Sequence, residues 1–366
     1  MKYVDEFRSG KSIAHISEAI RAFVPRGRVF NVMDVCGTHT MSVFRFSLKE
    51  LLPDGIRLIS GPGCPVCVTP DSFLDKAIWL ARQKNVIVAT FGDMLKIPAS
   101  RSSLERERSL GAAVKVVYST VDAVEIAERN PGKEVVFLGV GFETTAPTVA
   151  SSILMAKAGG FVNYSVLCGH KTMPQVLRTL AGDRDADIDG FMLPGHVSAV
   201  TGARPYGFLA REYAKRCVIA GFEPFDIMQA ILMLITQKRP RIEIQYGRAV
   251  TVSGNKKARE IMGEVFESSD SAWRGIGTIK DSGLKIRKPY REFDAGAKFD
   301  IKTPHSVKRT GCICAEVLKG GRMPEECRLF GKRCRPEHPV GPCMVSSEGT
   351  CAAHFKYAPG PGRVLR

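Results

Sequence analysis

From residue 29 to 237 the chain alternates short, almost wholly apolar runs with longer stretches of helical period. The runs occupy 29–35, 56–60, 86–90, 114–118, 134–140, 164–168, 190–193 and 217–220. Runs this short, rich in β-branched residues and each followed by an amphipathic stretch, predict strands of βα units. Their continuous apolarity, in place of alternation, marks strands covered on both faces, so the sheets are parallel and flanked by helices. The longest apolar run, 230–235, is one face of a buried helix and falls short of a membrane span. Beyond 237 the rhythm changes. Residues 241–252 read as strand and 256–267 as helix, and 268–366 are rich in Gly, Pro, Lys and Cys.

The eight strands divide into two sets of four, and a shift of about 105 residues lays the first set on the second. Val35-Cys-Gly-Thr-His-Thr40 meets Val140-Gly-Phe-Glu-Thr-Thr145, and the 61–67 loop meets Gly169-His-Lys-Thr172. Thr90-Phe-Gly-Asp93 meets Pro194-Gly-His196, and 117–121 meets 220–224. The prediction is an α/β protein with two related parallel-sheet domains, 29–122 and 123–240, facing a cleft. Residues 1–28 with 241–366 form a third, smaller, cysteine-rich domain. Ligands of open α/β sheets bind beyond the carboxyl ends of the strands, so the polar loops of both halves line that cleft.

Composition narrows the setting. With 44% hydrophobic and 25% charged residues the 366-residue chain is globular, not disordered. Met1-Lys-Tyr-Val-Asp-Glu-Phe has no apolar core of a secretory signal, which implies a cytoplasmic, reducing compartment. There, eleven cysteines read as metal and redox chemistry before structural disulfides. The formal charge of +16 is spread out, with no aromatic interleaving and no nucleic-acid motif. It reads as a solvated basic surface, or as a face for an acidic protein partner or anionic ligand.

The cysteines fall in two groups. Cys312, Cys314, Cys327, Cys334, Cys343 and Cys351 crowd the tail. Four thiolates hold zinc or an iron–sulfur cluster. The irregular spacing lacks the paired arms of a zinc ribbon and favours iron–sulfur, and six cysteines leave two over for a redox disulfide. Upstream, Gly61-Pro-Gly-Cys-Pro-Val-Cys67 precedes Thr69, a good N-cap, and Pro70, suited to a first helical position. A helix N-terminus next to Cys64 and Cys67 favours thiolate and disulfide exchange. Cys36 ends a strand, and Gly37 after it admits a second backbone or a ligand. Thiolate is soft and suits iron. His39 is open as ligand, proton carrier or cap. In Gly139-Val-Gly-Phe-Glu-Thr-Thr-Ala-Pro147 the dinucleotide turn is incomplete, but Glu143, Thr144 and Thr145 offer a carboxylate and two hydroxyls before a helix. His170 and His196 are further strand-end histidines, and Cys168 and Cys217 read as core.

Taken together, Cys36-Gly-Thr-His-Thr40, the 61–70 and 141–147 segments, Pro194-Gly-His-Val-Ser198, Gly221-Phe-Glu-Pro-Phe-Asp226 and Cys343-Met-Val-Ser-Ser-Glu-Gly-Thr-Cys351 closely resemble the hydrogenase maturation factor HypD family. One departure is Met41, where many members carry a second histidine. The resemblance implies a scaffold and not a conventional enzyme. It joins a small chaperone, HypC, receives cyanide from HypE, and assembles the Fe(CN)2CO unit destined for a hydrogenase large subunit. By that resemblance Cys36 holds the substrate iron, and Cys64 and Cys67 form a dithiol/disulfide pair. Cys312, Cys327, Cys334 and Cys351 hold a 4Fe-4S cluster, and Cys314 and Cys343 are a second redox pair. His39, Glu143, Thr144, Thr145 and His196 complete the expected site, with no nucleic acid and no membrane involved. The rival reading is an iron–sulfur thiol–disulfide oxidoreductase acting on a protein substrate.

Overall fold

The computed structural model describes residues 5–24, 27–183, 186–303 and 311–357. The eight expected strands are β1 (Phe30–Asp34), β2 (Ile56–Ser60), β3 (Val86–Thr90), β4 (Val114–Val116), β5 (Glu134–Gly139), β6 (Tyr164–Cys168), β7 (Gly190–Pro194) and β8 (Arg216–Ala220), with β9 at Ile242–Ile244. They form two parallel sheets, ordered β2-β1-β7-β8-β9 and β4-β3-β5-β6.

This grouping corrects the contiguous halves 29–122 and 123–240. The second sheet is an insertion between β2 and β7 of the first. Counted within each sheet, both begin in the order second, first, third, fourth, so the two are alike. The 105-residue shift, however, pairs β1 with β5, and the sheet order pairs it with β3. The physical reason is simple: an apolar run reports burial on both faces and carries no information on which neighbour shares its ladder.

The N-terminal helix Gly10–Phe23 also departs from expectation. Its Ile13, Ile16 and Ile20 pack with Phe30, Ile227 and Ile231 in the core of the first sheet, not with the tail. After β9, helix Lys256–Val265 starts where Asn255 accepts the Ala258 N–H at 3.0 Å. It leads into a hairpin that the sequence pattern does not announce, β10 (Phe266–Trp273) with β11 (Gly277–Ile286). The hairpin's polar middle hides it, since only its ends bury apolar residues. It is tied to the second sheet through Thr172 N–H to Ser282 O at 2.9 Å and Leu284 N–H to His170 O at 3.2 Å. Among the described residues no helix is long and apolar enough to cross a membrane.

Candidate thiol and metal site

The loop after β1 is built around one carboxylate. Asp34 accepts the Cys36 N–H at 3.0 Å, faces His39 Nδ1 at 3.1 Å and accepts the Thr40 hydroxyl at 2.6 Å. Cys36, still extended, is the N-cap of helix Gly37–Arg45, so its position is fixed by the strand behind and the helix ahead. The second nitrogen of His39 faces Ala220 O at 3.2 Å, and its ring stacks on Phe222. Both nitrogens of this fully buried imidazole are therefore engaged, and its role here is to brace the loop. Gly37 admits a neighbour, but from the same chain: a Cβ there would lie 2.6 Å from Glu348 Cβ. Thr38 donates to Glu348 at 2.6 Å across that contact.

The loop after β2 presses on the first. A Cβ on Gly63 would stand 2.4 Å from Cys36 N, and Gly37 N–H donates to Gly63 O at 3.2 Å. Cys64 caps the four-residue helix Pro65–Val68 by accepting the Cys67 N–H at 3.3 Å. Thr69 is not the cap of the next helix, Asp71–Ala81; its hydroxyl turns back to Pro65 O at 2.8 Å and Pro70 takes the cap position. Nor does a helix terminus lower Cys67. Complete burial pushes this thiol well up, against a favourable contact with Cys343. Cys36 is likewise pushed up to about 12, by burial and then by Asp34 and Glu348.

Beyond β5, Glu143 is buried with one oxygen accepting the Met173 N–H at 3.0 Å and the other, Oε2, without a partner among the described residues. Burial raises its carboxyl to about 7. Thr145 spends its hydroxyl on Phe142 O at 3.3 Å in its own turn, and Thr144 is half-buried beside it. Tyr206, which sequence reasoning missed, is fully buried beside the side chains of Ser198 and Thr201, and its hydroxyl is pushed up by burial and then by the charge of Glu143. His196 is exposed, its ring 3.8 Å from that of Phe222. His170 is buried, its Nδ1 3.6 Å from Cys168 Sγ.

The six tail cysteines all line one cavity, whose remaining walls are apolar, among them Val317, Phe330 and Met344. Cys343 is the hub: its thiol meets those of Cys67, Cys314 and Cys351. Cys314 in turn meets Cys312, and Cys334 Sγ accepts the Val340 N–H at 3.3 Å. The 342–350 segment carries this cavity to both sheets. Cys67 Sγ approaches Pro342 O at 3.9 Å, Glu348 holds Thr38, and Ser346 donates to Asp93, beyond β3, at 2.8 Å. The CxxC pair, the Cys36 loop and the tail thiols therefore form one buried assembly.

A family model, HypD, described as "Hydrogenase formation hypA family", matches residues 11–358. The chain belongs to this family. It is similar to hydrogenase maturation factor HypD of Cupriavidus necator, 45% identical over 98% of this chain and 97% of that one. The HypD proteins of Azotobacter vinelandii (44%, over 98% and 97%) and Escherichia coli (40%, over 98% of each) are similar along the same length.

Proposed function

We propose that this HypD-family protein acts in hydrogenase maturation as an assembly scaffold. A substrate iron binds at Cys36 together with a thiolate of a HypC-type partner. Cyanide from a HypE-type partner and a carbonyl ligand are attached there, and the Fe(CN)2CO unit passes to a hydrogenase large subunit. The observation that carries this reading is the convergence of three thiol sets, Cys36, Cys64/Cys67 and the tail six, through the single 342–350 segment. The relatives' naming as maturation factors supports the setting.

Each part of the geometry has a task. The Cys36 thiol stays protonated until a cation arrives, so iron binding releases a proton and leaves a soft thiolate. Glu143, with its open Oε2, would donate from its protonated carboxyl to a cyanide nitrogen, tuning the bound iron as outer groups do. His39 and Thr40, both held on Asp34, fix Cys36. Six thiols around one apolar cavity suit a resident iron–sulfur group. Cys312, Cys327, Cys334 and Cys351 would hold a 4Fe-4S cluster, which when bound supplies one-electron chemistry. Four thiolates could equally hold one zinc, and the irregular spacing of the tail cysteines along the chain, without the paired arms of a zinc ribbon, supports the cluster. Cys314 and Cys343 remain as a dithiol pair, and Cys343 reaches Cys67. The oxidoreductase alternative fares worse, because Cys64 and Cys67 are both buried and offer no face to another protein's disulfide.

The test is infrared spectroscopy of the protein copurified with its small partner. Metal-bound cyanide and carbonyl bands are expected, with one iron beyond the cluster. Cys36→Ser should lose the bands and that iron while keeping the visible absorbance of the tail. Bands of wild-type intensity in Cys36→Ser would sink the assignment.

A further inference from the structure

Where the tail meets β2 there is a hollow that the thiol assembly does not use. Its polar wall is Lys49, Arg57 and Ser60 on one side and Arg322, Thr350 and His354 of the tail on the other. No carboxylate among the described residues lines it. Arg322 is already held by Glu326 at 2.9 Å and Glu316 at 3.4 Å. Lys49 and Arg57 have no hydrogen-bonded or ion-paired acid among the described residues. Lys49 lies over the Phe44 ring at 4.5 Å, where burial lowers its ammonium, Glu325 opposes that and Arg57 adds to it. Two like charges held this way repel until an anion joins them. His354 decides which anion. It is 3% exposed, and its Nδ1 faces Glu325 Oε1 at 2.5 Å. A carboxylate there keeps the ring proton on Nδ1, so Nε2 carries a lone pair. That Nε2 is buried with no hydrogen-bond partner among the described residues, which costs free energy until a donor arrives. The enclosed space is about 10 Å³, room for about one oxygen atom of water size. A fitting ligand therefore buries one O–H and leaves its charged oxygens at the mouth.

We propose that this hollow binds inorganic phosphate as the hydrogenphosphate dianion, its P–O–H donating to His354 Nε2 and its charged oxygens held by Lys49 and Arg57, with Arg322 as a further donor. The protonation of the ligand selects it. Above neutral pH inorganic phosphate keeps one O–H as its dianion, whereas a phosphomonoester dianion and sulfate keep none. Either of those would set a bare oxygen against the Nε2 lone pair. Charge-assisted bonds from the two unpaired cations supply the grip. Because Lys49 and Arg57 stand on the β2 side and Thr350 and His354 on the tail side, a bound phosphate fastens the two together. It would do so beside Thr350, at the start of the helix Thr350–Tyr357.

The experiment titrates the full chain, in chloride buffer at about pH 7.5, with sodium phosphate, sodium sulfate and glycerol 2-phosphate, whose ester is then mostly dianionic. Calorimetry should show one saturable phosphate site, with sulfate and the ester each about tenfold weaker for want of the O–H. Lys49→Gln and Arg57→Gln should each weaken phosphate about threefold, and the pair together about tenfold. His354→Asn, which keeps a donor toward Glu325 and removes Nε2, should bring phosphate and sulfate to equal affinity. If that buried variant does not fold, the two cation variants still decide, since neither side chain has a hydrogen bond or ion pair among the described residues to lose. The proposal fails if wild type takes up no phosphate saturably, or if sulfate or the ester binds as tightly as phosphate. It fails equally if His354→Asn still prefers phosphate. Wild-type affinity in the double variant would mean an adventitious ion only, held elsewhere on the basic surface.

Discussion

At the scale of single residues, two buried carboxylates do opposite jobs. Asp34 is surrounded by donors and holds the Cys36 loop in shape. Glu143 has one donor and one open oxygen, so burial dominates and raises it from 4.5 to about 7. The folded protein then holds a proton on Glu143 that the unfolded chain releases between those pH values. Stability from this residue is therefore full below pH 4.5 and is lost as pH rises through about 7. The difference amounts to about 3 kcal/mol. Glu143→Gln should flatten the corresponding fall in denaturant midpoint of the metal-free protein between pH 5 and pH 8. An undiminished slope in that variant would show that another group titrates. The sequence made Cys36, Cys64, Cys67 and Glu143 legible through their strand-end positions. It did not reveal that Gly37's space belongs to Glu348, because that contact joins residues 311 apart.

At the scale of elements, legibility follows burial. Strands β3 and β6 coincide with the apolar runs, because strands covered on both faces carry their signal in every residue. β10 and β11 escape for the opposite reason, being half-exposed and polar at their centre. The Gly221-Phe-Glu-Pro-Phe-Asp226 motif becomes intelligible only in three dimensions. Asp226 is fully buried at the start of helix Pro224–Thr236, where it accepts bonds from both arms of Arg248, from Gln245 at 2.8 Å and from Glu223 N–H at 3.2 Å. A Cβ on Gly221 would lie 2.4 Å from its Oδ2, which accounts for the glycine. Arg248→Ala strands this buried charge and should cost about 3–5 kcal/mol in urea unfolding. Adding Asp226→Asn to that variant should recover part of the loss. If Arg248→Ala alone unfolds like wild type, the pair is not what secures the helix start.

At the scale of the molecule, the tail is a bridge between the two sheets. Its 342–350 segment holds Thr38 beyond β1, meets Cys67 beyond β2 and holds Asp93 beyond β3. None of these partners was legible beforehand, since pattern reading sees local period and these bonds close loops of hundreds of residues. One consequence concerns the cysteine cavity. Any group held by the six thiols would also fix the segment that meets the Cys36 loop, so loading of the tail would be mechanically linked to order in that loop. Cys334→Ala removes a buried thiol that accepts the Val340 N–H two residues before Pro342. It should abolish visible absorbance from the tail. In hydrogen exchange it should also release protection in 36–40, 63–68 and 91–94, while helices Pro224–Thr236 and Ala146–Gly159, anchored in cores that hold no tail residue, stay protected. Loss of protection confined to 311–357 would mean that the tail folds independently and that the loops after β1, β2 and β3 are ordered by their own sheets. Loss throughout would mean that the cavity supports the whole fold. Only the intermediate pattern matches three narrow contacts laid across two well-packed sheets.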